Sequence, residues 1–205
     1  MTVPGLSGRN IIDSLQHGDP RGSTWRPAEA DTSIRPGWFY HAAEDGRVRS
    51  VETLMNLYFQ SVGRNSKLLL NVPPTKDGLL HATDVERLTG FGDRRRAAFA
   101  EDLAAGRKMR WQRTGATTAR GEIDLGRARS FTVTRLEEQI ENGQTVARYS
   151  LHGAGEDGEF KILSRGTTVG HARLDRITAV NIRRVRVEIE DAIAPPDPVR
   201  LKLFA

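Results

Sequence analysis

The sequence predicts two parts, an α/β segment followed by an antiparallel β-sandwich. Apolar residues at helical spacing over 50–62 lead into a short apolar run at 67–72, which is typical of an α/β unit. After Met109 the pattern changes to short alternating or β-branched runs separated by turns that contain glycine. About seven such runs at this spacing are typical of a sandwich. We therefore place the boundary near residue 106.

The first elements follow from spacing and from residues that break secondary structure. Residues 1–24 are polar and lack periodicity, which predicts an irregular segment. A helix is predicted at 50–62, with Gly63 as a left-handed C-cap. The run at 67–72 is followed by two prolines, which predicts a buried parallel strand.

A second helix is predicted at 83–105. Thr83 and Glu86 fit a capping box at its start, and Phe99 and Leu103 can share its apolar face. The strands of the sandwich are then predicted at 121–125, 130–137, 145–151, 159–163, 167–171, 179–190 and 199–204.

Composition argues against several classes of protein. No cysteine is present in the 205 residues, so neither disulfides nor cysteine-ligated metals can stabilise the fold. The formal net charge is +5, but the arginines are scattered along the sequence. The one run, at 94–96, would point in three directions on a helix, so we expect no nucleic-acid binding. No segment approaches the roughly 20 apolar residues of a membrane span, and no signal peptide is visible. The histidines lack zinc-ligand spacing, and we expect neither a metal nor a cofactor.

The densest group of functional side chains lies in WRPAEADTSIRPGWFYH, from Trp25 to His41, and SVGRNSKLLLNVPP follows from Ser61 to Pro74. Aromatic faces stack on a pyranose ring, while carboxylate, guanidinium and imidazole groups hydrogen-bond its hydroxyls. The mixture indicates sugar recognition. The candidate substrate-binding residues are Glu29, Arg35, Trp38, Tyr40 and His41.

These two segments, in this order and spacing, resemble the α-L-fucosidases of glycoside hydrolase family 29, in particular the branch that cleaves α-1,3/1,4-linked fucose. Three further stretches share the resemblance: GEIDLG at 121–126, NGQTVARYSL at 142–151 and RGTTVGHARLDRI at 165–177. The resemblance implies that residues 1–106 are the C-terminal remnant of a (β/α)8-like, or TIM-barrel-like, catalytic domain. It also implies that residues 107–205 are a C-terminal β-sandwich of the jelly-roll or galactose-binding-like kind.

The resemblance also implies a retaining mechanism with two carboxylates about 5 Å apart. In this family the nucleophilic aspartate lies upstream of everything in this sequence, so no catalytic residue is assigned and the chain alone is expected to be inactive. In some branches the acid/base glutamate comes at a place comparable to Glu29, whereas in the branch most resembled it comes earlier. Three interpretations of Glu29 therefore stay open: a contact to substrate, acid/base catalysis, or a structural salt bridge.

The other candidates also keep two interpretations each. Arg35, held extended before a proline, presents donors either to ring hydroxyls or to a structural ion pair. If the run of four rings that ends at His41 forms a strand, Trp38 and Tyr40 face the pocket together, unless they pack in the core. His41 is either a hydrogen-bonding group at the rim or a structural histidine. Asn71, at the far end of the 67–72 strand, contacts substrate or caps a turn.

Two functions are therefore weighed. The first is a C-terminal fragment of an α-L-fucosidase, whose partners are a fucosylated oligosaccharide and an upstream barrel fragment. The alternative is a carbohydrate-binding or structural β-sandwich module without catalysis. The predicted sandwich contains a single tryptophan, Trp111, which favours the alternative only weakly.

Overall fold

The computed structural model describes residues 28–178 and 181–205. The irregular segment predicted at 1–24 and the first three residues of the sugar-recognition motif, 25–27, lie outside the described residues.

In the described residues of the first part, two parallel strands form a small sheet. Strand β1 (Ala28–Ser33) pairs with β2 (Ser66–Asn71), so that Ser33 lies opposite Asn71 and the carboxyl ends of both strands meet at one edge. The parallel pairing of the predicted 67–72 strand is confirmed. The prediction that this strand is completely buried is wrong, because alternate residues such as Leu69 are exposed.

Helix α1 (Val51–Gln60) lies between the two strands in the chain, and it confirms the helix predicted at 50–62. Ser50 caps it, since its Oγ accepts the N–H of Thr53 at 3.2 Å. The prediction of a left-handed Gly63 is wrong. A Cβ at Gly63 would lie 2.4 Å from the carbonyl oxygen of Phe59, so this position needs glycine for space, and the positive φ of 64° belongs to Asn65 instead.

Helix α2 (Ala82–Ala98) is shorter than the predicted 83–105. Its N-cap is His81, whose Nδ1 accepts the N–H of Thr83 at 3.3 Å, so the capping box headed by Thr83 is wrong. The helix ends early because the ring of Phe99 packs edge-on against Phe204, with 5.0 Å between centroids.

Eight antiparallel strands form the two sheets of the second part. The five strands of the larger sheet, in chain order, are β3 (Arg110–Arg113), β4 (Ala119–Arg129), β6 (Val146–Ala154), β7 (Phe160–Gly166) and β9 (Ile182–Ala192). The three of the smaller are β5 (Val133–Glu137), β8 (Arg173–Arg176) and β10 (Arg200–Phe204). Their spatial orders are β3-β4-β9-β6-β7 and β10-β5-β8. The predicted fold class, a small α/β region followed by antiparallel sheets, is confirmed.

The sheets enclose one apolar core, to which both contribute buried side chains such as Leu136, Leu151, Val187 and Leu203. The strand predicted at 167–171 is wrong, because Gly170 takes a φ of 60° and the chain becomes extended only at β8. Strand β3 was not predicted.

The α/β part is fastened to the sandwich through the second motif. The side chain of Asn65 donates from Nδ2 to the carbonyl oxygen of Val169 at 2.9 Å and accepts at Oδ1 from the N–H of Ala172 at 2.8 Å. The N–H of Leu174 donates to the carbonyl oxygen of Gly63 at 3.0 Å. Apolar contacts surround these bonds, with Met55, Phe59, Val133, Leu174 and Phe204 in one buried cluster.

The chain between helix α2 and strand β3 also lies against the sandwich. The N–H of Leu103 donates to the carbonyl oxygen of Leu203 at 2.8 Å, and Ala104 belongs to the sandwich core. The domain boundary near residue 106 stays a prediction. Among the helices described, none is long and apolar enough to cross a membrane.

Candidate functional site

The loop at 34–41 leaves the carboxyl end of β1 and carries most of the candidate residues. The N–H of Ile34 still donates to the carbonyl oxygen of Asn71 at 2.9 Å, and the chain then bends through Pro36 and Gly37. The four rings do not form a strand, so alternation does not decide which of them face a pocket. We call this loop, with the first turn of α2, the rim.

Arg35 is fully buried at the base of the rim. Its Nε donates to Oδ2 of Asp84 at 2.9 Å, and its Nη1 donates to Oδ1 of Asp45 at 2.9 Å. Burial alone would lower the pKa of the guanidinium, but the hydrogen bonds and charges of Asp84 and Asp45 outweigh it and raise this pKa above its ordinary value. Of the two interpretations, an internal ion pair is present, while a contact from Arg35 to substrate stays a prediction.

Tyr40 packs on the same ion pair. The Cζ of Arg35 lies 4.7 Å from the centre of the Tyr40 ring, and the tyrosine hydroxyl donates to Oδ2 of Asp45 at 3.4 Å. Desolvation raises the pKa of this hydroxyl, and the carboxylate of Asp45 adds to the effect. His81 completes the group, with its ring 5.9 Å from that of Tyr40 and its Nε2 3.4 Å from Asp45.

Trp38 and Phe39 turn outward from the rim, with 52% and 78% of their surface exposed. The backbone beneath them is fixed, because Nδ2 of Asn71 donates to the carbonyl oxygen of Trp38 and to Oγ of Ser33, both at 3.0 Å. His41, the residue before a short 3-10 helix, is also exposed. The rim can therefore offer aromatic faces and an imidazole to a ligand, which are groups that bind sugars.

Glu29 lies apart from this group. It is the second residue of β1, and four residue steps of about 3.3 Å place it about 13 Å from the carboxyl end of the strand. Its Oε2 lies 3.7 Å from Nζ of Lys67, and both side chains are largely exposed. The structure thus brings together Arg35, Tyr40 and the loop of Trp38 and His41, but not Glu29, whose role stays a prediction.

Sequence reasoning missed three side chains that surround Arg35 and Tyr40: Asp45, His81 and Asp84. Asp84 is fully buried in the first turn of α2, 49 positions from its partner Arg35. A carboxylate in a first helical turn is common, so the sequence held no signal that this one faces a buried arginine. Within residues 28–178 and 181–205, no three acidic or histidine side chains are grouped so that they could hold a metal ion.

The chain is similar in sequence and in fold to known α-L-fucosidases. Residues 6–94 match the α-L-fucosidase family. The α-L-fucosidase 1 of Arabidopsis thaliana is 31% identical over 88% of this chain and 41% of its own length. Among solved structures, SpGH29 is 35% identical and superimposes with a TM-score of 0.83, covering 94% of this chain and 47% of the other. A Ruminococcus gnavus GH29 fucosidase in complex with fucose is 28% identical and superimposes with a TM-score of 0.82, covering 91% of this chain and 43% of the other.

The chain spans about two fifths of the length of the curated relatives it matches, and less than half of these solved structures. The superpositions cover 94% of this chain on SpGH29 and 91% on the Ruminococcus gnavus fucosidase. The chain is therefore homologous, over part of their length, to the α-L-fucosidases of glycoside hydrolase family 29.

Proposed function

We propose that this chain supplies the closing section of an α-L-fucosidase barrel and the sandwich that supports it. The observation that carries the proposal is the β1–β2 sheet, which has two parallel strands and, in the described part of the chain, no further strand on either outer edge. Parallel strands occur almost only inside larger sheets that are covered on both faces. Leu69, 44% exposed on β2, is an apolar side chain of the kind that such a covering would bury.

The rim supplies one wall of the fucose pocket. It lies at the carboxyl ends of the parallel strands, which is the face where barrel enzymes bind substrates. We propose that Trp38 stacks on the sugar, that His41 hydrogen-bonds at its edge, and that Arg35 and Tyr40 shape the wall from below. Glu29 is retained as a residue that contacts substrate or shapes the site from the beginning of strand β1, the strand that leads into the rim.

The catalytic carboxylates come from elsewhere in this proposal. A retaining glycosidase needs two carboxyl groups about 5 Å apart, one free to attack the anomeric carbon. At the rim, Asp45 and Asp84 both pair with Arg35 and are not free for that role. We therefore propose that the nucleophile lies on polypeptide outside residues 1–205, and that this chain alone does not hydrolyse a fucoside. The substrate is a fucosylated oligosaccharide, with an α-1,3 or α-1,4 linkage proposed from the motifs.

The experiment measures hydrolysis of an aryl α-L-fucoside by this chain alone, by the upstream portion of SpGH29 alone, and by the two mixed or co-expressed. Activity is expected only from the pair. Clear turnover by this chain alone would refute the claim that its nucleophile is missing. If the pair copurifies but stays inactive, the proposed complementation is wrong.

The contribution of the rim is tested in the active pair. Trp38→Ala should lower kcat/KM by about tenfold, since loss of a stacking aromatic costs about 1 kcal/mol or more. Ile193→Ala is the matched control, because Ile193 lies beyond strand β9 and is 51% exposed. Equal effects of the two substitutions would contradict the assignment of Trp38.

The alternative, a binding module without catalysis, predicts a different result. The chain alone should then bind fucosylated glycans, and Trp38→Ala should leave the affinity unchanged because the contacts would come from sandwich loops. Glycan titration of both variants by calorimetry separates the two proposals.

A further inference from the structure

A cavity lies at the opposite end of helix α2 from the rim. It has a volume of about 510 Å³ and opens between the last turn of the helix and the smaller sheet of the sandwich. Asp84 and Arg96 are twelve residues apart on this helix, which corresponds to about 18 Å at 1.5 Å per residue. The cavity is therefore separate from the proposed fucose pocket, and we call it the interface cavity.

Aromatic rings form one wall of the interface cavity. Tyr58 comes from α1, Phe99 follows α2, and Phe204 ends the last strand. The centres of the Tyr58 and Phe99 rings are 5.9 Å apart, and those of Phe99 and Phe204 are 5.0 Å apart. Rings from three elements thus hold one another in place beside an open space.

Cationic side chains line the rest of the cavity. These are Arg95, Arg96, Arg135 and Lys202, against a single acidic lining residue, Asp102. The Oδ1 of Asp102 already accepts the N–H groups of Ala104 and Leu203, at 2.9 and 3.1 Å.

The neighbouring carboxylates do not balance these cations. Glu137 pairs with two of them, at 2.5 Å from Arg135 and 3.5 Å from Lys202, and it is also drawn on by Arg200 outside the cavity, at 3.5 Å. Arg96 has its own partner in Asp93 at 2.5 Å. Arg95, by contrast, shows no ion pair and no side-chain hydrogen bond to any residue that the structure describes. The cavity therefore carries a local excess of positive charge.

We propose that the interface cavity binds a pyranose ring that carries an anionic substituent, either a carboxylate or a sulfate ester. The aromatic wall suits the apolar face of a sugar, and a guanidinium binds both oxyanions through paired hydrogen bonds. The volume falls within the range of small-molecule sites. Arg95 is the principal cation of the proposed site, because no described residue forms an ion pair or a side-chain hydrogen bond with it. The inference does not depend on the fucosidase proposal.

The test is calorimetric titration of the full chain with four probes: a sialylated lactose, a sulfated lactose, neutral lactose and inorganic sulfate. At least one acidic sugar should bind about tenfold or more tightly than lactose and than free sulfate, and comparison of the two acidic sugars identifies the anion. The proposal is overturned if neither acidic sugar binds, or if lactose or free sulfate binds as tightly as the better of the two acidic sugars.

A pair of adjacent variants tests the location. Arg95→Gln should weaken binding of the acidic sugar by about tenfold, which is the loss of one charge-assisted contact. Arg94→Gln makes the same change of charge one residue away, but Arg94 lines a different cavity. The affinity of this variant for the acidic sugar should therefore equal that of the unsubstituted chain. Equal weakening by both would show attraction by overall charge only and would overturn the site. Equal melting temperatures of the two variants confirm that the fold is intact.

Discussion

The Arg35–Asp84 ion pair allows a sharp prediction for Asp84→Asn. Both side chains are completely buried, so the substitution leaves the Arg35 cation in the interior with one of its two carboxylates removed. Breaking a buried pair by removal of one partner costs about 3–5 kcal/mol. Because Asp45 still contacts Arg35, we expect the lower end, about 3 kcal/mol. This is a large part of the 5–15 kcal/mol that is typical for a domain.

Urea unfolding followed by circular dichroism measures this loss. With a slope of about 1–3 kcal/mol per molar urea, the midpoint should fall by about 1–3 M. Hydrogen exchange should locate the new openings in the amides of α2 and the rim. Asp45→Asn is the control, since the side chain of Asp45 is 32% exposed and its ion pair should contribute about 1 kcal/mol or less. Equal costs for the two substitutions would refute the argument from burial.

Two further predictions concern the sandwich and its attachment. Gly63→Ala should lower the free energy of unfolding by about 1–3 kcal/mol, because the new Cβ would lie 2.9 Å from the Cβ of Leu174. Gly46→Ala is the control, because a Cβ at Gly46 would have no atom within 4 Å and should leave stability unchanged. Equal melting temperatures of the two variants would contradict this prediction. Burial beside Asp175 raises the pKa of Tyr149, so above about pH 10 the unfolded chain loses a proton that the folded chain keeps. The free energy of unfolding should then fall by up to about 1.4 kcal/mol for each pH unit above pH 10. Alkaline denaturation of Tyr149→Phe should lack this dependence on pH. An unchanged dependence in that variant would show that Tyr149 is not responsible.

The helices show where sequence reasoning succeeds. Helix α1 could be predicted because Leu54 and Met55 recur on one face, and both are buried in the structure. The end of α2 could not be predicted in the same way. Phe99 and Leu103 fit the periodic face of a longer helix, but they pack on the last strand of the sandwich, which lies about a hundred residues further along the chain.

The site shows the same limit. The motif contains the residues of the loop at 34–41, yet it could not separate Arg35, which is buried, from Trp38, which is exposed. That separation depends on Asp84, a residue whose spatial position follows from the docking of α2. Local patterns thus indicate a segment rich in functional groups, and contacts between distant segments decide which of these groups come together and which meet solvent.

The two hydrogen bonds of the Asn71 amide have a consequence for how a ligand is held. They tie the peptide of Trp38 to the end of the neighbouring strand while its indole ring stays open to solvent. A sugar that stacks there meets a surface whose backbone is already ordered, so little conformational entropy is lost on association. Within the described residues, binding at Trp38 should therefore require little rearrangement of the backbone that carries the ring.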